Sequence, residues 1–334
     1  TTGVANPYLL LEPSRTNLIS QSEYFGGWTL ISNGTGSDPV LDFGYISPGG
    51  LNNAYKITLD SGAGTATSDE SIIYLNKSGV TAGSEHTASV YLKGAVGGEE
   101  VIVRDTAGGY KKWTLTTEWA RYEYTQTATA TSYATSFGLR QGLGGIGTIN
   151  SNAVVYIYGF QSELGSYPTS YIPTYSVSAT RAADNCDKLD ASGEIGQTEG
   201  TLFLEFDDLD YSFSSIARGI SISDGTYTNR IYIAQLPGGG MYGISSTGCE
   251  IQEPTPSSRR GTIKVALAYK NNDYIMYVNG IQSGSDTSAT VPLCNKLYLG
   301  QEIGLDVNCL YKPYNQAALY KERLTNAELA TLTT

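Results

Sequence analysis

Short runs of alternating apolar and polar residues, each bounded by Gly, Ser, Asn or Asp, dominate the sequence and leave few choices of fold. In the first half of the chain they include residues 71–75, 88–92, 101–104, 120–125 and 153–158. The runs recur about every 8–15 residues and have almost no helical periodicity. The pattern therefore predicts antiparallel strands that pack as a β-sandwich.

The second half repeats this pattern and adds one clear hairpin and one helix. Further strands are predicted at residues 201–206, 231–234 and 297–299. The hairpin joins residues 262–269 to residues 274–278, and Asn279-Gly280 forms a second tight turn because both residues accept positive φ. Thr325 and Glu328 have the spacing of a capping box and predict a short C-terminal helix.

Length and composition agree with this interpretation. A chain of 334 residues corresponds to about two domains at ~150 residues each. Tyr (26 residues) suits half-buried strands and Gly (39 residues) suits turns. We predict an all-β protein with two antiparallel β-sandwich (jelly-roll) domains in tandem and a short C-terminal helix. The domains are residues 1–174 and 191–334, and the linker is residues 175–190.

The charge balance argues against two classes of partner. The chain has 21 Lys+Arg against 32 Asp+Glu, a formal net charge of -11, and no long basic cluster. Nucleic-acid binders and proteins that bind anionic membranes present basic surfaces. No apolar run approaches the ~20 residues of a membrane-spanning helix. We therefore expect no nucleic-acid partner and no membrane insertion.

Two flanking motifs carry a family resemblance. The first comprises residues 9–18 with residues 22–25, and the second comprises residues 163–174 with residues 180–184. Both resemble segments that recur in bacteriophage tail and minor structural proteins. Residues 115–122 resemble part of a carbohydrate-binding-module sandwich. The second half resembles a laminin-G or concanavalin A-like domain, through residues 265–267, 277–280, 297–300 and 318–329.

The resemblance implies a location in the virion and a function in host attachment. The chain would be an extracellular-facing part of the virion, in a phage tail or related appendage, with other tail or capsid proteins as partners. It would attach to the host by lectin-like, non-catalytic binding of bacterial surface polysaccharide or glycan. Because a single shallow sugar site is weak, we expect a homo-oligomer, a trimer, that repeats the site. The alternatives are a glycan depolymerase of the concanavalin-like glycosidase type and a purely structural virion decoration.

The candidates for sugar binding are aromatic and planar polar side chains. A pyranose stacks on an accessible aromatic ring, and planar polar groups bridge its hydroxyls. The candidates are Arg104, Tyr110 and Trp113 in the first half and Arg230, Tyr232 and Gln235 in the second. Each can also be an ordinary solvated or core residue. Trp28, and Trp119 by the family resemblance, are expected to pack inside.

One segment has the pattern of catalytic carboxylates. Glu205, Asp207 and Asp210 nearly match the E-x-D-x-x-E strand of laminarinase-type glycosidases. Period-two alternation places Glu205 and Asp207 on one face of a strand, opposite Leu204 and Phe206. Retaining glycosidases need two carboxyl groups ~5–5.5 Å apart. Because the segment is expected to be an outer or edge strand, we interpret it as a solvated polar face and predict no enzyme activity.

Other motifs indicate no cofactor. Gly142, Gly144 and Gly147 match a dinucleotide fingerprint, but a strand rather than a helix follows, so we predict a glycine loop. The single histidine, His86, lies in a turn-like segment without a nucleophile motif.

The sequence alone does not decide whether the protein binds calcium or whether its cysteines form disulfides. The resemblance makes Glu23 a candidate ligand of a structural calcium, although the acidic residue expected near the last strand is replaced around Gly159-Phe160. The four cysteines form no C-x-x-C pair and are interpreted first as buried or free thiols, with disulfides as the alternative.

Overall fold

The chain divides into two compact all-β units. In the computed structural model, residues 8–106, 109–208, 216–253, 261–301 and 309–334 are described. The first sandwich is Ser14–Ala182, and the second is Ala183–Thr334 together with the residues before Ser14. Among the described residues, no helix has the length and apolar character needed to cross a membrane.

The strands up to residue 164 belong to the first sandwich, apart from β1. In chain order they are β1 (Leu9–Leu10), β2 (Arg15–Asn17), β3 (Thr29–Asn33), β4 (Ser37–Tyr45), β5 (Ala54–Asp60), β6 (Glu70–Lys77), β7 (Glu85–Gly94), β8 (Glu100–Arg104), β9 (Lys111–Thr114), β10 (Ala120–Thr127), β11 (Tyr133–Arg140) and β12 (Asn152–Leu164). The glycine loop between β11 and β12 leads into a strand, as predicted.

The remaining elements lie in the second sandwich, apart from β13. They are β13 (Ala179–Arg181), β14 (Cys186–Lys188), β15 (Glu199–Asp208), β16 (Ala217–Ser223), β17 (Arg230–Gln235), β18 (Met241–Ser245), β19 (Glu250–Gln252), β20 (Gly261–Lys270), β21 (Asp273–Val278), β22 (Ile281–Asp286), β23 (Lys296–Leu299), β24 (Pro313–Tyr320) and α1 (Asn326–Leu332). The predicted strands, the hairpin and the terminal helix are confirmed.

Two five-stranded antiparallel sheets enclose the core of the first sandwich. The β7 sheet has the order β10-β7-β12-β5-β4, and the β6 sheet has the order β3-β6-β11-β8-β9. Alternate residues of each strand point inward, so Val90 and Leu92 of β7 are buried with Phe137 of β11 in one cluster. The residues between them face outward from the β7 sheet.

The second sandwich has two six-stranded sheets. The β15 sheet has the order β1-β24-β15-β20-β21-β22, and the β17 sheet has the order β14-β23-β16-β17-β18-β19. Leu204 and Phe206 of β15 enter the core between them. On the other face of the β15 sheet, Phe203 packs with Leu329 of α1. The predicted capping box is confirmed: Glu328 N donates to Thr325 and Thr325 N donates to Glu328.

Strand pairing corrects three expectations. Residues 8–13 belong to the second unit rather than the first, because Leu9 pairs with Tyr314. Residues 175–190, expected to be a linker, contribute β13 paired with β2 and β14 paired with β23. The β15 strand is not an edge strand, because β24 and β20 flank it.

The two flanking motifs meet in the first sandwich. Besides the pairing of β2 with β13, buried Asn17 donates to the carbonyl of Ile172 at 2.9 Å. Thr174 N donates to Ser22 Oγ at 2.8 Å. The motifs, far apart in sequence, therefore form one closure at this end of the sandwich.

A buried ion pair joins strand β6 to the loop after β8. Lys77 Nζ lies 2.5 Å from Asp105 Oδ1, and both side chains are 0% exposed. Ser162 Oγ accepts from Lys77 at 2.6 Å and donates to Asp105 at 2.7 Å. His86 lies nearby in strand β7 rather than in a turn, and its burial lowers its pKa below the ordinary value.

Breaking this pair is expected to destabilise the first sandwich. We predict that Lys77→Met lowers the free energy of unfolding by about 3–5 kcal/mol, because it leaves the Asp105 charge buried without its partner. Urea denaturation measures the change. Lys188→Met is the matched control: its pair with Glu194 is 53% exposed on both sides, so its loss should leave the free energy of unfolding nearly unchanged. Equal losses in the two variants would contradict a specific role of the buried pair.

Candidate functional site

Strand β12 presents tyrosines on the outer face of the β7 sheet. Val155 and Ile157 are fully buried in the core, while Tyr156 and Tyr158 alternate with them and are half-buried. The alternation ends at a β-bulge between Tyr158 and Gln161. Gly159 has φ +63° there, and a Cβ would lie 3.1 Å from the Tyr171 ring, so the bulge requires glycine.

Neighbouring strands extend this surface in two cross-strand rows. Lys93 of β7 and Lys56 of β5 lie opposite Tyr156 on either side. Arg121 of β10 lies opposite Tyr91 of β7, which lies opposite Tyr158. We call this surface the tyrosine face; it comprises Tyr45, Lys56, Tyr91, Lys93, Trp119, Arg121, Tyr156, Tyr158 and Tyr171.

The rings of the tyrosine face contact one another and the basic side chains. The Tyr45 and Tyr156 centroids are 5.2 Å apart, and those of Tyr158 and Tyr171 are 5.7 Å apart. Lys93 Nζ lies 4.9 Å from the Tyr156 centroid and 5.4 Å from that of Trp119. All nine members are half-buried, so each packs on its neighbours and still presents surface to solvent. Such a surface can stack on an apolar ligand face and donate hydrogen bonds around it.

Glu23 holds one end of the tyrosine face. Its Oε1 accepts from Tyr158 at 3.0 Å and from Tyr171 at 3.2 Å, and its Oε2 accepts from Tyr175 at 3.3 Å. Burial and the nearby carboxylate raise the pKa of Tyr158 to about 12, so this phenol is a hydrogen-bond donor at neutral pH. In the described part of the chain, no group of three or more His, Cys, Asp or Glu residues is arranged so that it could hold a metal ion. The calcium ligand expected at Glu23 stays a prediction.

The burial of two of the three tryptophans differs from what the sequence predicted. Trp119 does not pack inside: it is half-buried on the tyrosine face, and its Nε1 donates to the carbonyl of Ile46 at 3.2 Å. Trp113 is not a surface platform, because it is only 7% exposed and packs opposite Val101 in the core. Trp28 is a core residue, as predicted.

The structure brings Arg104 and Tyr110 together on the outer face of the β6 sheet. The Arg104 guanidinium lies 5.0 Å from the Tyr110 centroid and 4.5 Å from that of Tyr133. Arg104 and Arg140 both donate to the Tyr110 hydroxyl, at 3.2 Å and 2.8 Å. Tyr133 and Arg140 were not predicted from the sequence as partners of Arg104 and Tyr110. Both residues come from strand β11, and only the pairing of strands in the sheet shows that they are neighbours.

The candidates of the second sandwich are mostly enclosed. Tyr232 is 3% exposed, and the Arg230 guanidinium lies 5.3 Å from its centroid. Gln235 is 1% exposed and donates to Asp208 at 3.0 Å. Asp208 also forms a buried ion pair with Lys312 at 2.8 Å. Tyr232 lies in a small buried cluster with Ala234 and Tyr242, separate from the core that holds Ile231 and Ile233. Tyr232 and Gln235 are therefore not surface groups.

The carboxylates of β15 follow the predicted alternation. Glu205 and Asp207 are half-buried on the face opposite Leu204 and Phe206. Asp207 Oδ1 accepts from Thr262 at 2.9 Å and from Asn315 at 3.0 Å, so neighbouring strands already hold it. Asp210, the third acidic position, lies outside the described residues.

The cysteines are free thiols in the structure. Cys249 and Cys294 are buried, while Cys186 and Cys309 are partly exposed. Burial raises the pKa of Cys249 and of Cys294 to about 12, which keeps both protonated and unreactive at neutral pH.

The tyrosine face itself was missed at the sequence level. The alternation of residues 153–158 identifies β12 as a strand with Tyr156 and Tyr158 on one side. These tyrosines lie beside basic side chains because β12 pairs with β7 and β5. The alternation within one strand does not predict which strands become its neighbours.

No family model and no curated protein matches the chain. Among solved structures it is similar to the CBM40 of Ruminococcus gnavus IT-sialidase, with 18% identity, a TM-score of 0.37 and coverage of 43% of this chain and 86% of that chain. The same CBM40 bound to α2,6-sialyllactose has 16% identity, a TM-score of 0.34 and coverage of 43% and 91%. Domains LG4-5 of the mouse laminin α1 chain have 12% identity, a TM-score of 0.30 and coverage of 74% and 86%.

Tryptophan fluorescence tests the placement of these rings. We predict that acrylamide quenches a single accessible tryptophan, and that Trp119→Phe removes most of the quenchable emission, because Trp28 and Trp113 are buried. Trp113→Phe is the control and should leave the quenchable emission in place. Loss of quenching in Trp113→Phe but not in Trp119→Phe would reverse the assignment.

Proposed function

We propose that this protein is a non-catalytic glycan-binding module that holds bacterial surface polysaccharide on the tyrosine face. The observation that carries the proposal is the pair of cross-strand rows, Lys56–Tyr156–Lys93 and Arg121–Tyr91–Tyr158, in which half-buried tyrosines lie beside basic side chains. The apolar face of a pyranose stacks on such rings. Lysine, arginine and phenol donors beside the rings hydrogen-bond the sugar hydroxyls.

The location within a virion is part of the same proposal. The resemblance of the two flanking motifs to segments of bacteriophage tail proteins supports a place in a tail or related appendage. We propose other tail or capsid proteins as structural partners, with the tyrosine face directed at the host surface. A decoration without a ligand is the competing function, and absence of binding to host cells would favour it.

Binding without cleavage is proposed because one of the two candidate carboxylates of β15 serves as a structural hydrogen-bond acceptor. Asp207 is engaged by Thr262 and Asn315. Time-dependent release of reducing ends from a polysaccharide, lost in Glu205→Gln, would instead support a depolymerase.

The tyrosine face is tested by removing one central ring. We predict that Tyr156→Ala weakens glycan binding about 2- to 10-fold, the equivalent of one aromatic contact of about 0.5–1.5 kcal/mol. Binding is measured on a panel of bacterial polysaccharides and then by calorimetry with the tightest member.

Tyr133→Ala is the matched control for this experiment. It removes a half-buried tyrosine from strand β11 of the other sheet and should leave binding unchanged. A loss in Tyr133→Ala with none in Tyr156→Ala would transfer the site to the Arg104 and Tyr110 cluster. No binding by the wild-type protein to any glycan or host cell would overturn the proposed function.

The proposal includes repetition of the site on a homo-oligomer. We predict a trimer, because three shallow sites acting together gain avidity without any new contact. Light scattering coupled to size-exclusion chromatography gives the mass in solution. A monomer at micromolar concentration would contradict this part of the proposal and leave glycan binding standing.

A further inference from the structure

The ammonium group of Lys93 lies at the centre of the tyrosine face without a carboxylate partner. It sits between the Tyr156 and Trp119 rings, at 4.9 and 5.4 Å from their centroids. Among the described residues, no Asp or Glu oxygen lies within 4.0 Å of Nζ. The two rings position the charge on the surface and leave its donors directed at solvent or a ligand.

Two further cations of the same face also form no ion pair with a described residue. Arg121 lies 5.6 Å from the Tyr91 centroid and donates to Ser89 at 2.8 Å, while its buried Nε has no hydrogen-bond partner. Lys56 Nζ lies 5.9 Å from the Tyr45 centroid, on the opposite side of Tyr156 from Lys93.

Three basic side chains elsewhere in the first sandwich have acidic partners. Lys77 pairs with Asp105, Lys112 with Glu100 and Arg140 with Glu70. Lys93, Lys56 and Arg121 instead contact aromatic rings, in a chain whose net charge is -11.

Most acids near this surface lie at its margins and are engaged. Buried Glu163 accepts from Thr169 at 2.9 Å; burial raises its pKa, and the charge of Arg121 acts against this shift. Glu23 accepts from three tyrosines at one end. Asp42, opposite Lys56, accepts from Tyr45 at 2.6 Å. Glu123 is exposed on the edge strand β10. The centre of the face, around Tyr156, is therefore its cationic part.

We propose that the tyrosine face selects saccharides that carry an anionic substituent, with Lys93 contacting the anion. The inference rests on the proposed function and names its ligand class: a sugar ring stacked on Tyr156 that bears a carboxylate, sulfate or phosphate. Arg121 and Lys56 add attraction from either side. Because the site is open to water, the contribution of the charge falls with ionic strength.

Matched pairs of intact glycans test the ligand class. The probes are sialyllactose against lactose, hyaluronan against carboxyl-reduced hyaluronan and dextran sulfate against dextran, with glycerol teichoic acid as the phosphate arm. Binding is measured at 50 and 500 mM NaCl. We expect the anionic member of at least one pair, or the teichoic acid, to bind at least 10-fold more tightly than the neutral probes at low salt and to lose most of that advantage at high salt.

The outcomes separate this inference from the proposed function. Neutral members that bind as tightly as anionic members would overturn the inference and leave glycan binding intact. Failure of these probes, of the polysaccharide panel and of host cells to bind would overturn both. The arm that responds identifies carboxylate, sulfate or phosphate as the anion.

Variants of Lys93 test its contact with the anion. Lys93→Gln should weaken binding of the anionic glycan about 2- to 5-fold and leave neutral glycans unaffected. Lys93→Arg should retain the selectivity, and Lys188→Gln, an equal charge change on an exposed lysine of the second sandwich, should have no effect. Equal weakening of neutral and anionic ligands by Lys93→Gln would assign Lys93 a purely structural role, and unchanged selectivity would remove it from the site.

Discussion

The strict alternation of inward and outward residues along β7 and β12 is the constraint on which the first sandwich depends. Val155 and Ile157 fill the core only if Tyr156 and Tyr158 face outward, and the same holds for Leu92 between Tyr91 and Lys93. A slip of one residue would bury a lysine and expose the core. The register that stabilises the fold is therefore the same register that assembles the tyrosine face.

The end of this alternation is equally specific. The bulge at Gly159 turns Phe160 into the core and leaves room for the Tyr171 ring above it. Tyr171 comes from the second flanking motif and Glu23 from the first, and their side chains meet at 3.2 Å. The closure formed by the two motifs thus serves the fold and supplies one border of the proposed binding surface.

On this surface each basic side chain lies against an aromatic ring, so less apolar ring surface is exposed to water. Each basic side chain lays its charge over a ring, which shields part of the ring from water and fixes the position of the charge. Burial and Glu23 raise the pKa of Tyr158 to about 12. The surface can consequently be exposed to water when no ligand is bound, and its rings can still stack on a sugar.

The local structure could be predicted from the amino-acid sequence. Alternation located the strands, Asn279-Gly280 located a turn and the Thr325–Glu328 spacing located the helix cap, because each depends on residues close together in the chain. The family resemblance was wrong for Trp119, which lies half-buried on the tyrosine face with Arg121. Three features emerged from the assembled sheets: β15 is an inner strand, Trp113 is buried opposite Val101, and Lys93 lies beside Tyr156. These facts depend on which strands become neighbours, and that choice is made by pairing between segments far apart in sequence, where the period of a single strand carries no information.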